Sequence, residues 1–135
     1  MTALIENRYT KHRDGLITAH PVKGGWKVFK GSLVCVDRTG FAVPGSDIEG
    51  YRFMGVAIEN ADNSAGSNGD TNVRVQTMGV FSFAYDGSAK QEQVGMAVYI
   101  VDDQTITVDL NNKLVECIVC GKLEGLDGVD AWLRI

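Results

Sequence analysis

The segment from Val73 to Tyr85 has the most regular pattern in the chain, because apolar residues recur at alternate positions. One face of this alternation consists of Val73, Val75, Thr77, Gly79, Phe81, Phe83 and Tyr85. A period of two residues is that of an extended strand and does not produce one face of a helix. We therefore predict one long strand, bent at Gly79. Its three aromatic residues lie either in the core or at a subunit interface, where aromatic side chains dominate.

Other short segments also have the composition of strands, since they are rich in β-branched and aromatic residues and are bounded by turn residues. They are residues 26–37 with a break at Gly31, 51–60, 96–102, 105–110, 113–125 and 130–135. One helical turn is predicted over 88–93, with Ser88 as its N-cap. This pattern predicts an all-β fold, a compact single-domain β-barrel or sandwich with at most one short helical turn.

Three short segments of the first half are similar to segments of the second half, in the same order. The pairs are 31–34 with 95–98, 54–57 with 120–123, and 73–75 with 133–135. A duplicated half-barrel would produce this order. The general composition of β proteins would produce it as well, so the pattern by itself does not choose between the two interpretations.

The length of 135 residues is that of one domain. With 44% hydrophobic residues the chain can form a core, unlike a disordered chain. No apolar run reaches the roughly 18–20 residues that cross a membrane, and the first residues lack the apolar stretch of a secretory signal. We therefore expect neither a membrane partner nor secretion.

Charge is divided unevenly along the chain. Residues 1–30 carry a net charge of +4, whereas residues 31–135 carry −8. Because the first twenty residues show no clean period, we predict an extended N-terminal arm over 1–24 and a β-barrel-like body over 25–135. The basic arm is either a solvated tail or a segment that docks on an acidic partner or a neighbouring subunit. The acidic body argues against nucleic acid as a partner.

The residue types that carry most enzyme chemistry are scarce. Cys117 and Cys120 have the CxxC spacing of zinc and redox sites, but within a strand two side chains three positions apart point to opposite faces. We predict structural cysteines, and an inter-subunit disulfide through Cys35, Cys117 or Cys120 stays open. His12 and His20 lie near the N-terminus, where a loose arm cannot hold an imidazole for catalysis. We predict no catalytic residues.

The polar loop over 62–70 is rich in oxygen-bearing side chains, as calcium loops are. An EF-hand starting at Asp62 would need glutamate at its twelfth position, which is Val73 here. A hairpin loop is the simpler interpretation, and a looser oxygen-ligand site is the alternative. The chain also lacks the glycine-rich phosphate-binding motifs. We therefore predict no metal and no cofactor.

Several blocks of sequence follow one another in an order that is typical of one family. They are 30–37, 53–61, a Gly-rich loop followed by Val73-Arg74-Val75, then 79–81, 94–100 and the closing 121–135. Over roughly residues 25–135 the chain resembles the small cement, or head-decoration, proteins of tailed bacteriophages. The resemblance rests on strand pattern and glycine placement, and it contains no catalytic signature.

The resemblance implies a structural virion protein without catalysis. Such a protein is made in the host cytoplasm, binds the outer surface of the expanded capsid and stabilises it. Its expected partners are the major capsid protein and copies of itself, as a homodimer or homotrimer. The charge of the arm leads us to expect that it contacts the capsid or a neighbouring copy through Arg8, Tyr9, Lys11 and Arg13. The alternatives are another phage structural module, from a tail or fibre, and a small ligand-binding β-barrel.

Overall fold

A computed structural model of the chain describes residues 2–87, 90–109 and 114–135. Regular structure in these residues is almost entirely β, which confirms the all-β prediction. The strands are β1 Ile17–Pro21, β2 Lys27–Val28, β3 Leu33–Val36, β4 Ala42–Pro44, β5 Arg52–Ala57, β6 Ala61–Asp62, β7 Asn72–Gln76, β8 Val80–Tyr85, β9 Ala97–Ile100, β10 Thr105–Thr107, β11 Val119–Asp127 and β12 Asp130–Arg134. A 3₁₀ turn covers Gln91–Gln93, and the predicted cap Ser88 lies outside the described residues.

The first half of the chain forms a five-stranded sheet in the order β1-β7-β5-β3-β4. Val22, directly after β1, forms a parallel bridge with Ala42 of β4, so the two edges of this sheet meet. The short strands β2 and β6 pair with each other beside it. The second half forms a closed five-stranded barrel in the order β10-β8-β12-β11-β9, and β10 runs parallel to β8. We call these the first unit and the second unit.

The two units have the same topology. Strands β1, β7, β5, β3 and β4 correspond in order to β8, β12, β11, β9 and β10. Each unit has a register shift at the same place, between Val34 and Cys35 opposite β5 and between Val119 and Gly121 on β11. The hydrogen bond from Gly31 N–H to the Ala57 carbonyl is matched by one from Gly95 N–H to the Leu123 carbonyl.

This repeated topology supports a duplicated half-barrel over the alternative of general β composition. Two of the three sequence pairs agree with the strand register, because Val34 lies opposite Gly55 as Val98 lies opposite Gly121. The third pair was misaligned by two residues. Val75 lies opposite Ala57 as Leu133 lies opposite Leu123, so Val75 and not Val73 is the counterpart of Leu133.

One core connects the two units into a single domain. The interior of the second unit is filled by large apolar side chains such as Ile100, Ile106 and Leu133. Leu33 and Val43 point out of the first unit and are buried in the same cluster. A backbone hydrogen bond of 2.9 Å from Leu33 N–H to the Asp103 carbonyl also joins the units. The outer face of the first unit therefore packs against the second.

Three details of the sequence analysis were wrong. The predicted strand over 73–85 is two strands, because Gly79 has a φ of +139° and the chain passes there from the first unit to the second. The arm predicted over 1–24 is shorter, since β1 pairs with β7 over Ile17–Pro21. Residue 113 of the strand predicted over 113–125 lies outside the described residues, and in the described part β11 begins at Val119, after Cys117 with its φ of 54°.

Candidate functional site

The four predicted partner-binding residues lie in an extended segment before the first strand. Residues 2–15 form no strand or helix, and Arg8, Tyr9, Lys11 and Arg13 are all exposed, Tyr9 by 88%. Thr77 attaches the end of this segment to the body, because its N–H donates to the Leu16 carbonyl at 2.8 Å. We call residues 2–15 the arm. The arm exposes cationic and apolar side chains, while β1 ties it to the first unit.

An apolar groove lies where the two units meet, and the sequence analysis did not predict it. It encloses about 430 Å³. Its apolar wall includes Trp26, Phe29, Ile48 and Tyr51, and we call it the aromatic groove. The Phe29 ring is 54% exposed and carries the Lys27 ammonium 5.0 Å from its centre. Exposed aromatic rings around a concave surface are typical of interface hot spots.

The second unit contributes two carboxylates to the rim of the aromatic groove. Asp102 and Asp103 lie in the turn between β9 and β10, and both line the groove. Burial and the neighbouring Asp102 raise the pKa of the Asp103 carboxyl. Neither carboxylate forms an ion pair with a residue in the described part of the chain. The groove therefore combines apolar contact area with a locally negative edge.

A buried carboxylate supports the turn between β3 and β4, close to the groove residue Tyr51. Asp37 accepts a hydrogen bond of 2.5 Å from the Lys23 ammonium and one of 2.6 Å from the Thr39 hydroxyl. Burial alone would raise the pKa of Asp37, but these bonds and those from the Thr39 and Phe41 N–H groups outweigh it. The pKa falls to about 2. Asp37 is thus a structural anion.

The lowered pKa of Asp37 predicts loss of stability in acid. A carboxyl whose pKa is depressed by folding stabilises the protein above its unfolded value near 3.8, and this contribution disappears as the pH falls toward 2. We expect the free energy of unfolding to fall between about pH 4 and pH 2, and Asp37→Asn to flatten that fall while lowering stability at neutral pH. Denaturant titrations at several pH values measure both. The control Glu124→Gln removes an exposed ion pair with Arg134; an equally flattened curve there would contradict the assignment to Asp37.

The cysteines do not form a reactive pair. Cys120 is buried in β11 and Cys35 is buried in β3, and burial raises the pKa of the two thiols to about 12 and about 11. A high pKa keeps a thiol protonated and unreactive. Cys117 lies before β11 and is half-buried, so the CxxC pair is not contained in one strand as the sequence analysis assumed. All three are free cysteines within the chain.

The polar loop over 62–70 uses its side chains to hold its own backbone. Asp62 accepts hydrogen bonds from the N–H and hydroxyl of Ser64, and Asp70 accepts one from Ser67 N–H at 2.9 Å. The buried amide of Asn63 donates to the Val22 and Ser67 carbonyls. Among the described residues, no cluster of three or more histidine, cysteine, aspartate or glutamate side chains could hold a metal ion. The described part also has no helix with the length and apolar character needed to cross a membrane.

Comparison with family models, with curated proteins and with solved structures found no match for this chain. The chain is therefore described by its fold and its surface features. It is an all-β protein of two repeated five-stranded units, with an arm that carries cationic side chains and with the aromatic groove. The basic residues of the arm could be recognised from the sequence, but residues 2–15 carry a net charge of only +1, because three of the lysines in the +4 over 1–30 lie in the body. The groove could not, because it combines residues 26–51 with a turn about fifty positions later. In the sequence, the nearest indication of the groove was the aromatic pair Trp26 and Phe29, which lie on either side of the two-residue strand β2.

Proposed function

We propose that this chain is a structural virion protein that binds the outer surface of an expanded phage capsid and stabilises it. The order of its sequence blocks resembles that of phage cement proteins, and this resemblance supplies the partner. The observation that carries the proposal in the structure is the arm, an exposed segment with the cationic side chains Arg8, Lys11 and Arg13 and a net charge of +1, fastened to the body by β1. Such a segment can become ordered on an acidic surface. Many copies on one shell would add avidity to a weak single contact.

The test is co-sedimentation of the purified full-length protein with expanded capsid shells that lack it. We expect saturable binding at a fixed ratio to the major capsid protein, and shells that survive higher temperature once occupied. Binding that does not saturate, or no binding to expanded shells, would refute the capsid role. Binding to isolated tails or fibres instead would favour the other phage structural module.

Deletion of residues 2–14 tests the part played by the arm. The deletion leaves every strand intact, because β1 begins only at Ile17, and it keeps Gly15 and Leu16, whose carbonyls accept hydrogen bonds from Thr77. We expect capsid binding to weaken by about tenfold or more, since the variant loses the cationic side chains of the arm. Occupancy measured over a range of protein concentrations gives the dissociation constant.

A charge substitution with a matched control separates the charge of the arm from its length. Replacing Arg8, Lys11 and Arg13 with glutamine should reproduce most of the loss. Replacing the acidic residues Glu6 and Asp14 with their amides leaves the arm more positive, and binding should stay the same or strengthen. Equal weakening by both sets of substitutions would show that charge is not what the capsid recognises.

A further inference from the structure

The aromatic groove leaves large apolar side chains uncovered in a single copy of the chain. Trp26 is 43% exposed and Ile48 is 45% exposed, in addition to the exposed Phe29 ring. A second depression of about 390 Å³ shares Phe29 and Asp103 with the groove and continues along residues 30–32. The two adjoining depressions give room for an extended peptide. Exposed apolar patches rimmed by polar residues mark protein contacts.

The carboxylates on the rim of the groove favour a cationic occupant. Asp102 and Asp103 are adjacent in the chain, and neither forms an ion pair in the described part of it. Lys27 also lines the groove, but its ammonium lies over the Phe29 ring and its charge acts on Asp62 of the neighbouring strand β6. A cation brought to the rim would therefore offset the repulsion between two neighbouring carboxylates.

The arm carries the complementary side chains. Residues 8–13 contain three cationic side chains and no carboxylate. When a segment lies extended, alternate side chains point to the same side. Tyr9, Lys11 and Arg13 then share one face, whereas Arg8 lies on the other. A buried tyrosine contributes roughly 150–250 Å² of contact area, and the cations on its face can bind carboxylates at the rim.

The arm does not fill the groove of its own chain. Every residue over 2–15 is exposed, including Ile5 by 97%. The arm joins the body at Leu16 beside Thr77, where β1 begins, whereas the groove residues follow the other end of β1, from Trp26 onward. Each copy of the chain thus has an uncovered groove and an uncovered arm. Identical copies can bind one another when the arm of one copy enters the groove of the next.

We propose that the arm of one copy binds in the aromatic groove of a second copy, with Tyr9 between the aromatic side chains and Lys11 at the carboxylates of Asp102 and Asp103. This inference deepens the proposed function and rests on it for the place where copies meet, since it names the contact between neighbours on the shell. Arg8, on the opposite face of the docked segment, remains available to the capsid.

The experiment is sedimentation velocity of the full-length protein over a range of concentrations, with no capsid present. The wild type should associate reversibly into a discrete oligomer. Tyr9→Ser combined with Lys11→Gln should raise the dissociation constant of that oligomer by about thirtyfold or more, because the contact loses its aromatic anchor and its cation. Phe29→Ser should raise the dissociation constant by about tenfold or more, because it removes a wall of the groove.

Two matched controls separate this contact from general changes of the surface. Arg8→Gln removes the same charge as Lys11→Gln from the opposite face of the arm. Val129→Ser removes an apolar side chain that is 85% exposed in the turn between β11 and β12 and does not line the groove. Both should keep the dissociation constant of the wild type within about twofold. Circular dichroism and thermal unfolding should be alike for all variants, since each substituted side chain is exposed.

A mixture of the two contact variants shows whether the arm and the groove act between copies. The variant with the changed arm keeps its groove, and the Phe29→Ser variant keeps its arm. A labelled arm variant should therefore bind the Phe29→Ser variant at a concentration where neither associates with itself. No binding in the mixture would overturn exchange between copies.

The remaining outcomes also decide the proposal. A wild type that stays monomeric would overturn it, whether its arm fills its own groove or stays free. An arm variant that associates like the wild type would overturn it as well, and so would equal weakening by either control. Because no capsid is present, failure of capsid binding leaves the result unchanged, and the two proposals fail separately.

Discussion

Replacing Gly121 with alanine is expected to lower the free energy of unfolding by about 3 kcal/mol and the melting temperature by roughly 10 °C. A β-carbon at this position would lie 2.8 Å from Leu133 Cδ1 and 3.0 Å from the carbonyl carbon of Arg134, on the neighbouring strand β12. Backbone atoms cannot move aside as the end of a flexible side chain can. The strands β11 and β12 would have to separate, and their hydrogen bonds would weaken. Denaturant and thermal unfolding measure the loss.

Gly125 provides a matched control on the same strand. A β-carbon there would meet only Trp132 Cδ1, at 3.8 Å, which is ordinary van der Waals contact. Gly125→Ala should therefore change stability by less than about 0.5 kcal/mol. Equal losses for the two alanine variants would mean that general strand flexibility, and not the close approach of β12, is what Gly121 provides.

The repeat adds a second expectation. Gly55 holds the equivalent position in the first unit, where a β-carbon would lie 3.1 Å from the carbonyl carbon of Gln76 on β7. We expect Gly55→Ala to destabilise the protein by at least a similar amount, about 3 kcal/mol, because the close approach is alike and Gly55 also has a φ of +153°, which residues other than glycine rarely adopt. If Gly55 tolerated alanine while Gly121 did not, the two units would share topology without sharing this packing requirement.

Replacing Asp47 with alanine is expected to cost about 2–3 kcal/mol of stability. The Asp47 carboxylate accepts hydrogen bonds from three successive backbone N–H groups, those of Val115 at 2.5 Å, Glu116 at 2.9 Å and Cys117 at 2.9 Å. Cys117 has a φ of 54°, and such a left-handed residue lets consecutive N–H groups converge on one anion. The bond set joins the loop after β4 to the segment before β11, and therefore one unit to the other.

Hydrogen exchange gives the specific readout for Asp47. The amides of Val115, Glu116 and Cys117 should lose protection in the Asp47→Ala variant, whereas the amides of β1 and β7 should keep theirs. Asp70→Ala is the control, because the Asp70 carboxylate accepts a local hydrogen bond from Ser67 N–H within its own loop; it should cost less than about 1 kcal/mol. Unchanged protection at residues 115–117 would show that Asp47 does not hold this segment.

The sequence predicted the structural features that depend only on residues close together in the chain. The segment 26–37, with its break at Gly31, predicted strands on either side of that glycine, and β2 and β3 lie there. The segments 96–102 and 105–110 were predicted as strands, and β9 and β10 lie in them and pair antiparallel. Each of these follows from side-chain type and a two-residue period, which act over a few neighbouring positions. The charge of the arm is likewise a property of a continuous segment.

By itself the sequence determined the all-β class, most of the strands and the cationic character of the N-terminal segment. Only the tertiary structure decided that the alternation over 73–85 is divided between two units, because a strand pattern does not say which neighbour completes the hydrogen bonds. It also decided that Trp26 and Phe29 share a groove with Asp103, and that Asp47 holds N–H groups 68–70 positions away. Contacts between residues so far apart in the chain depend on how whole sheets pack, and a short-range sequence pattern does not indicate that packing.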